Sequence, residues 1–274
     1  MARNSLLQDA EYLRGDQYRE SRNLGARSLL HQLYGTNPQG WFEWVMVHMD
    51  LRPGCKVLEC GCGPGWLWRN NLEALPVGCQ FTLTDLSPGM VAEAEEALSA
   101  TYRDFRFLDA DIAELPFDDQ TFDIVVANHM LYHVPDRSRA LSEVQRVLKP
   151  NGRFFAATIG DHHMGELWDL RMLLAPELTI LFQQSSKEFS LENGKGQLAP
   201  WFNQIKIYRY ENNLKVTDVE PLLAYILSST QSRNRVEPEQ LHKVRQTVQN
   251  SIEEHDSFDI STSAGLFVAQ NETL

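Results

Sequence analysis

The chain has 274 residues, enough for one large domain or a core domain with an elaborated cap. It is 43% hydrophobic and 23% charged, ordinary for a chain with a sizeable core, and no apolar run reaches the roughly 20 residues that span a bilayer. A formal net charge of -12 with no local basic stripe makes nucleic acid a poor partner.

The first forty residues carry apolar side chains at helical spacing among charges. They read as two short amphipathic helices ending near Gly35, with Asn37-Pro38 as a breaker. This start has no apolar stretch of the signal-peptide kind. Trp41 to Met49 restarts a helix, which Arg52-Pro53-Gly54 stops.

The period then changes. KVLEC (56–60) reads as a short buried strand, followed by GCGPG and a helical WLWRNNLEAL; FTLTD (81–85) is the second strand. SPGMVAEAEEALSA is a helix with Ser87 as N-cap and Pro88 in its first turn. FRFLDAD and TFDIVVAN give strands three and four, RSRALSEVQRVLK a helix closed by Pro150-Asn151-Gly152, and RFFAATIG a fifth strand. Strand and helix in alternation, with short apolar strands, indicate a parallel sheet covered on both faces.

Beyond residue 160 the pattern loosens. DLRMLLAPELTILFQQ reads as helical, and SLENGKGQLAPWF as a Gly- and Pro-punctuated stretch with exposed aromatics. IKIYRYENNLKVTD alternates like one half-buried strand, two helical stretches follow, and TSAGLFVAQ completes the sheet. The expected organisation is an N-terminal helical cap (1–49), an α/β core with a Rossmann-like doubly wound sheet (50–160), a lid or substrate-side insertion after strand five (161–204), and a C-terminal completion of the sheet (205–274). The sheet is expected to be mostly parallel with a C-terminal antiparallel strand.

The stretch ECGCGPGW (59–66) admits two readings. Zinc wants four ligands, usually from two C-x₂₋₄-C pairs, and this Cys-x-Cys has no second pair, so no metal is expected. Cys60 and Cys62, like Cys55 and Cys79, read as small packing residues. Four cysteines crowded into one early stretch are not a disulfide framework, and the chain is expected to be cytoplasmic and reduced. The glycines Gly61, Gly63 and Gly65 instead make a tight backbone turn at a strand end. Glu59 precedes that turn, where a carboxylate repels a pyrophosphate and attracts an ammonium or sulfonium. Asp85 ends strand two about 25 residues later, at the place of a ribose-binding carboxylate. Asp111-Ile112 ends strand three, where a carboxylate accepts from an adenine amino group beside an apolar wall. All three fall on the carboxyl edge of the sheet, where open α/β sheets bind ligands.

These stretches in order, VLECGCGPG, LTDLSPGM, DADIAELPFDDQTFDIVVANHMLYHV and RVLKPNGRFF, resemble class I S-adenosylmethionine-dependent methyltransferases of the small-molecule, type 11 kind, over roughly residues 55–158. The resemblance implies S-adenosyl-L-methionine as cofactor and S-adenosyl-L-homocysteine as product. It implies that Glu59 faces the methionyl amino end, that Gly61 and Gly63 bring backbone close, and that Asp85 holds the ribose. It further implies that Leu86 and Met90 pack on the adenine, that Asp111 and Ile112 contact its amino group and ring, and that Asn128 lies near the methionyl portion.

The acceptor is less constrained. His129 and His133 follow strand four and are the general-base candidates, His129 foremost. Tyr18, Arg22 and Arg27 on the N-terminal helix could close over the cofactor, where an arginine could meet the methionyl carboxylate. Trp41 could line an aromatic pocket, and Asp161-His162-His163 could be a ligand pair or an acid/base group after strand five, with His162 a substrate-side candidate. Solvated faces and core packing are the plainer alternatives for each. Nucleic-acid methyltransferases of this fold show an Asn/Asp-Pro-Pro-aromatic motif after strand four; here the stretch is Asn128-His129-Met130-Leu131. With the acidic charge, this indicates a small-molecule metabolite as acceptor, with neither nucleic acid nor membrane as partner. An exposed apolar cap could make a homodimer. The rival functions are a catalytically silent S-adenosylmethionine-binding or assembly subunit and a nicotinamide-dependent oxidoreductase.

Overall fold

The computed structural model describes residues 8–168, 170 and 187–271. The chain opens with α1 (Ala10–Tyr12), which runs into a π-helical turn (Leu13–Gln17), then α2 (Arg22–Tyr34) and α3 (Trp41–Met49). The core follows as β1 (Lys56–Cys60), α4 (Trp66–Arg69), β2 (Gln80–Asp85), α5 (Pro88–Leu98), β3 (Asp104–Asp109), β4 (Phe122–Asn128), α6 (Arg137–Val147) and β5 (Leu148–Ile159). After it come α7 (Gly194–Leu198), β6 (Gln204–Tyr210), β7 (Asn213–Val216), α8 (Val219–Ile226), α9 (Thr230–Arg235), α10 (Pro238–His255), β8 (Phe258–Ser261) and β9 (Ala264–Gln270).

Seven strands form one sheet in the order β3-β2-β1-β4-β5-β9-β6. Neighbours from β3 to β5 are parallel, while β9 runs antiparallel to both β5 and β6. This is the α/β, Rossmann-like doubly wound sheet the sequence indicates. Side chains alternate across it: Leu58, Val125 and Phe154 face the cluster under α6, and Val57, Val126 and Phe155 face the cluster under α3, α4 and α5. Burial on both faces explains why β4 reads as nearly all apolar at its centre. The strand order reverses between β1 and β4, so a crevice opens there at the carboxyl ends, flanked by Glu59 and Asn128.

Several local expectations change. WLWRNNLEAL yields only α4 and a 3₁₀ turn, because the Asn71 amide donates to the Leu67 carbonyl at 2.7 Å and the Phe42 carbonyl at 3.1 Å and ends the helix. Pro150-Asn151-Gly152 does not close a turn before strand five. It lies inside β5, where a register shift between the Phe122 and Ile124 pairings absorbs it as a bulge. The single strand expected over IKIYRYENNLKVTD is two strands, β6 in the main sheet and β7 paired with β8. The chain bends between them where the Asn212 side chain accepts from the Asn37 N–H at 3.0 Å. Of Trp201 and Phe202, read as exposed, Phe202 is buried in the core under α6 and Trp201 is half-buried against it. The helix expected over 169–184 lies, apart from Leu170, outside the described residues.

A third core stands apart from the sheet. Leu30 of α2, Leu167, Leu214 of β7, Leu222 of α8, Val244 of α10 and Ile260 of β8 pack together. The cap over the carboxyl edge is therefore woven from both ends of the chain, with residues 213–261 belonging to it and β6 and β9 returning to the sheet. Among the described residues, no helix is long and apolar enough to cross a membrane.

Candidate active site

A cavity of about 830 Å³ lies between the carboxyl edge of the sheet and this cap. Its floor is the loop after β1. Gly61 and Gly63 both take left-handed φ, 69° and 54°. A Cβ on Gly61 would collide with the Met130 side chain at 2.8 Å, so that glycine lets the turn after β4 close on the loop. A Cβ on Gly63 would meet only Leu24 of α2 at 3.8 Å, so there the backbone stays open to the cavity.

The carboxylates define one half of the cavity. Glu59 is 1% exposed, and one carboxyl oxygen accepts the Trp68 indole N–H at 2.6 Å. Burial pushes its pKa up to about 8, against the Trp68 hydrogen bond and with the nearby Asp85 charge. Asp85 accepts the Gly63 N–H at 2.9 Å through one oxygen and the Ser87 N–H at 2.8 Å through the other. Burial raises its pKa, and those backbone donors oppose the rise. Strand three stops at Asp109, so Asp111 sits in the following loop, exposed, with Ile112 buried behind it and both on the cavity wall. Leu86 and the buried Met90 line the same half. The two loop thiols diverge: Cys60 packs under α6 and Cys62 on the opposite face of the sheet. Burial first, then nearby carboxylates, raises both above the ordinary thiol range, Cys60 to about 12.

The cap closes over this half at three points. The Ser87 hydroxyl donates to the Tyr18 carbonyl at 2.8 Å, and the Ser21 N–H donates to Glu93 at 2.9 Å. Gly89 lies so close to the Arg19 carbonyl that any side chain there would strike it. The Tyr18 hydroxyl then reaches across to His133 Nε2 at 2.9 Å, joining the N-terminal segment to the turn after β4. Of the expected cap residues, Tyr18 and Trp41 line the cavity, whereas Arg22 and His162 are exposed and stand outside its wall.

The other half is built from rings. Asn128 accepts the Trp41 indole N–H at 3.2 Å, and the His129 ring packs on Trp41 with centroids 4.8 Å apart. His129 has φ 57°, an uncommon conformation for a residue with a side chain, at the end of the central strand. Burial lowers its pKa to about 4, helped by His31, and burial lowers His31 to about 4 as well. His31 stacks on His163 at 5.9 Å, and the His163 Nδ1 accepts the Ser263 N–H at 3.1 Å. His31, Tyr132 and Tyr225 were not singled out from the sequence, and His163 was read only together with His162. For α2 a signal exists: Leu24, Arg27 and His31 recur at i, i+3 and i+7, one helical face, and all three line the cavity.

Residues 58–156 match the family described as a methyltransferase domain. Demethylmenaquinone methyltransferase of Staphylococcus aureus is 37% identical over 113 residues, 41% of this chain and 46% of that protein, so the chain spans about half the length of the curated relatives it matches. Among solved structures, phosphoethanolamine N-methyltransferase 2 of Haemonchus contortus, in complex with phosphomonomethylethanolamine and S-adenosylhomocysteine, superposes with a TM-score of 0.59 at 19% identity over 97% of this chain and 61% of that one. The YcgJ protein of Bacillus subtilis superposes with a TM-score of 0.55 at 17% identity over 85% and 98%. At these identities the superpositions speak for the fold. The family match over the sheet core, and the strand order around the crevice it forms, make this chain one that carries a class I S-adenosylmethionine-dependent methyltransferase domain.

Proposed function

We propose that the protein transfers a methyl group from S-adenosylmethionine to a small-molecule acceptor and releases S-adenosylhomocysteine. The observation that carries this reading is the division of one cavity into a carboxylate half around the ends of β1, β2 and β3 and a half with uncharged imidazoles at the end of β4.

The residues present fit the cofactor. Glu59 is a buried carboxyl on the cavity wall with an indole as its hydrogen-bond partner and no ion pair among the described residues. A cationic methionyl end relieves that state, because an opposite charge favours ionisation. Asp85 is held by two backbone donors, one oxygen each, and keeps lone pairs for ribose hydroxyls. Gly63 leaves backbone bare beside it, and Ile112, Leu86 and Met90 supply apolar wall for an adenine, with Asp111 to accept from its amino group. Asn128, tied to Trp41, stands on the β4 side of the crevice, near the methionyl portion. When bound, S-adenosylmethionine supplies a methyl carbon activated by a sulfonium.

The chain's own work is then positioning, exclusion of water and proton handling. Tyr18 and His133, joined across the cavity, hold the N-terminal segment closed over the ligands. His129, kept neutral by burial at the end of β4, takes the proton of an O–H or N–H acceptor. The cavity admits metabolite-sized acceptors, and the buried Cys55 and Cys79 thiols, 3.1 Å apart, suit a reducing cytoplasm.

Incubating the protein with cofactor labelled on its methyl group and a fractionated metabolite extract tests the reading. Label should appear in one small-molecule fraction, and His129→Asn should abolish its appearance while S-adenosylhomocysteine still binds. Binding without transfer to any fraction would leave the silent-subunit reading standing instead.

A further inference from the structure

Arg27 is the cation the methyl-transfer chemistry does not use. It lies on α2 one turn beyond Leu24, which covers Gly63, and one turn before His31, all on the helix face that looks into the cavity. Its Nε donates to the hydroxyl of the buried Ser228, just past α8, at 2.8 Å. Burial works against its charge, and the phenols of Tyr18, Tyr225 and Tyr132 around it outweigh that effect and raise its pKa. No carboxylate pairs with it among the described residues, although five acids line the same cavity. The other arginine on the wall, Arg14, is exposed at the rim, and burial keeps His31 and His129 uncharged.

A guanidinium stays protonated in any protein environment, so a withdrawn one without a counter-ion is an incomplete pair. Elsewhere two half-buried arginines have carboxylate partners, Arg137 with Glu188 at 2.8 Å and Arg146 with Glu143 at 2.7 Å, while Arg103 and Arg153 donate to backbone carbonyls. Among the described residues no carboxylate completes Arg27, and the cavity it lines has room for a ligand that does. The ligand half is set by what surrounds the guanidinium. Tyr18 joins the closure over the carboxylate half to His133, whereas Tyr132 belongs to the turn after β4, and Tyr225 and Ser228 to α8 and the residues just past it. The cofactor carboxylates stand instead on β1, β2 and the loop after β3.

We propose that Arg27 is an oxyanion-binding subsite for the methyl acceptor, which therefore carries a carboxylate or phosphate group on a body that packs among Tyr132, Tyr225 and His31. This deepens the methyl-transfer reading and rests on it. The planar fork of the guanidinium suits two-point recognition of such a group, and the phenols exclude water around it.

The test uses the full chain loaded with S-adenosylhomocysteine and three probes of similar size: benzoate, phenyl phosphate and the neutral benzamide. Calorimetric titration should show one or both anions binding roughly 10- to 100-fold more tightly than benzamide. A preference for phenyl phosphate names the group as phosphate, a preference for benzoate as carboxylate. Arg27→Met should erase the difference, and Arg27→Lys, which keeps the charge without the fork, should retain part of it. Both variants should bind S-adenosylhomocysteine within about twofold of the parent protein. Equal binding of benzamide, or discrimination that survives in Arg27→Met, overturns the proposal. So does a tenfold loss of S-adenosylhomocysteine affinity with 5′-methylthioadenosine unaffected, since that ligand lacks the carboxylate and the arginine would then serve the cofactor. If S-adenosylhomocysteine fails to bind the parent protein at all, the methyl-transfer reading itself has failed, and the two failures are told apart at the first titration.

Discussion

The two halves of the cavity are made in different ways. The cofactor half comes from consecutive strand ends of one sheet, and its polar groups are carboxylates and backbone amides within one stretch of about fifty residues. The acceptor half comes from α2, the start of α3, the turn after β4, the residues following β5 and α8, and its groups are imidazoles, phenols, an indole and the Arg27 guanidinium. The first half gathers carboxylates; the second keeps its imidazoles His31 and His129 neutral through burial and holds one withdrawn cation, Arg27. On the proposed reading, a site that binds a cation and then delivers its methyl to a proton-bearing atom needs this division. A charged imidazole near the sulfonium would repel it and could accept no proton.

The largest expected effect lies in the acceptor half. His129→Asn should lower turnover by roughly 10²–10⁴, the usual weight of a positioned base, and leave S-adenosylhomocysteine affinity within about twofold. The pH profile sharpens this. A base works unprotonated, so with its pKa near 4 the rate should stay level as pH falls through 6.5, where an exposed histidine would already be protonated, and drop only towards pH 4. A rate that halves near pH 6.5 would place the base elsewhere. Next in size is Asp85→Ala in the cofactor half. It removes the acceptor of the Gly63 and Ser87 N–H groups as well as any ribose contact, and should weaken S-adenosylhomocysteine binding by roughly 10- to 100-fold. Unaltered affinity would count against the cofactor assignment at its centre.

The halves also differ in how far the sequence discloses them. Glu59, Asp85 and the loop glycines are readable because one short strand–loop–helix unit sets their geometry, and the chain order of such units follows from burial of β4 on both faces. Even there, Asp111 was expected at a strand end and stands two residues beyond one, since β3 stops at Asp109. The acceptor half depends on contacts across the whole chain. Tyr18 meets His133 at a separation of 115 residues and Arg27 meets Ser228 at 201, and no local periodicity encodes either pairing. His163, rather than the neighbouring His162, reaches the cavity because the turn after β5 ties His163 to the Ser263 N–H, a choice between adjacent residues that spacing alone leaves open. The split of IKIYRYENNLKVTD is of the same kind. Its alternation is continuous, but Asn212 is drawn to Asn37 and the second half pairs with β8 in the cap.

The smallest signal tests whether the carboxylate half does the charge handling assigned to it. With its pKa near 8 in the free protein, Glu59 is mostly protonated at pH 7. A ligand ammonium near it favours the ionised form, so binding should release up to about one proton to the buffer. Titrating S-adenosylhomocysteine at pH 7 in two buffers of different ionisation enthalpy measures that release directly. The same titration with 5′-methylthioadenosine, which keeps the adenosine but lacks the amino acid end, should release almost none. Glu59→Gln should abolish the release and cost little fold stability, because a protonated glutamate and a glutamine present similar groups to the Trp68 indole through their carbonyl oxygen. The sign of the stability effect is independent of ligand. An acid whose pKa is raised on folding stabilises most below about pH 4.5 and loses that contribution as pH rises towards 8, so the parent protein should lose stability across this window relative to Glu59→Gln. Equal proton release by both ligands would move the amino-end contact away from Glu59 while leaving Asp85 and the ribose untouched, and the cofactor half would then be held by its second strand rather than its first.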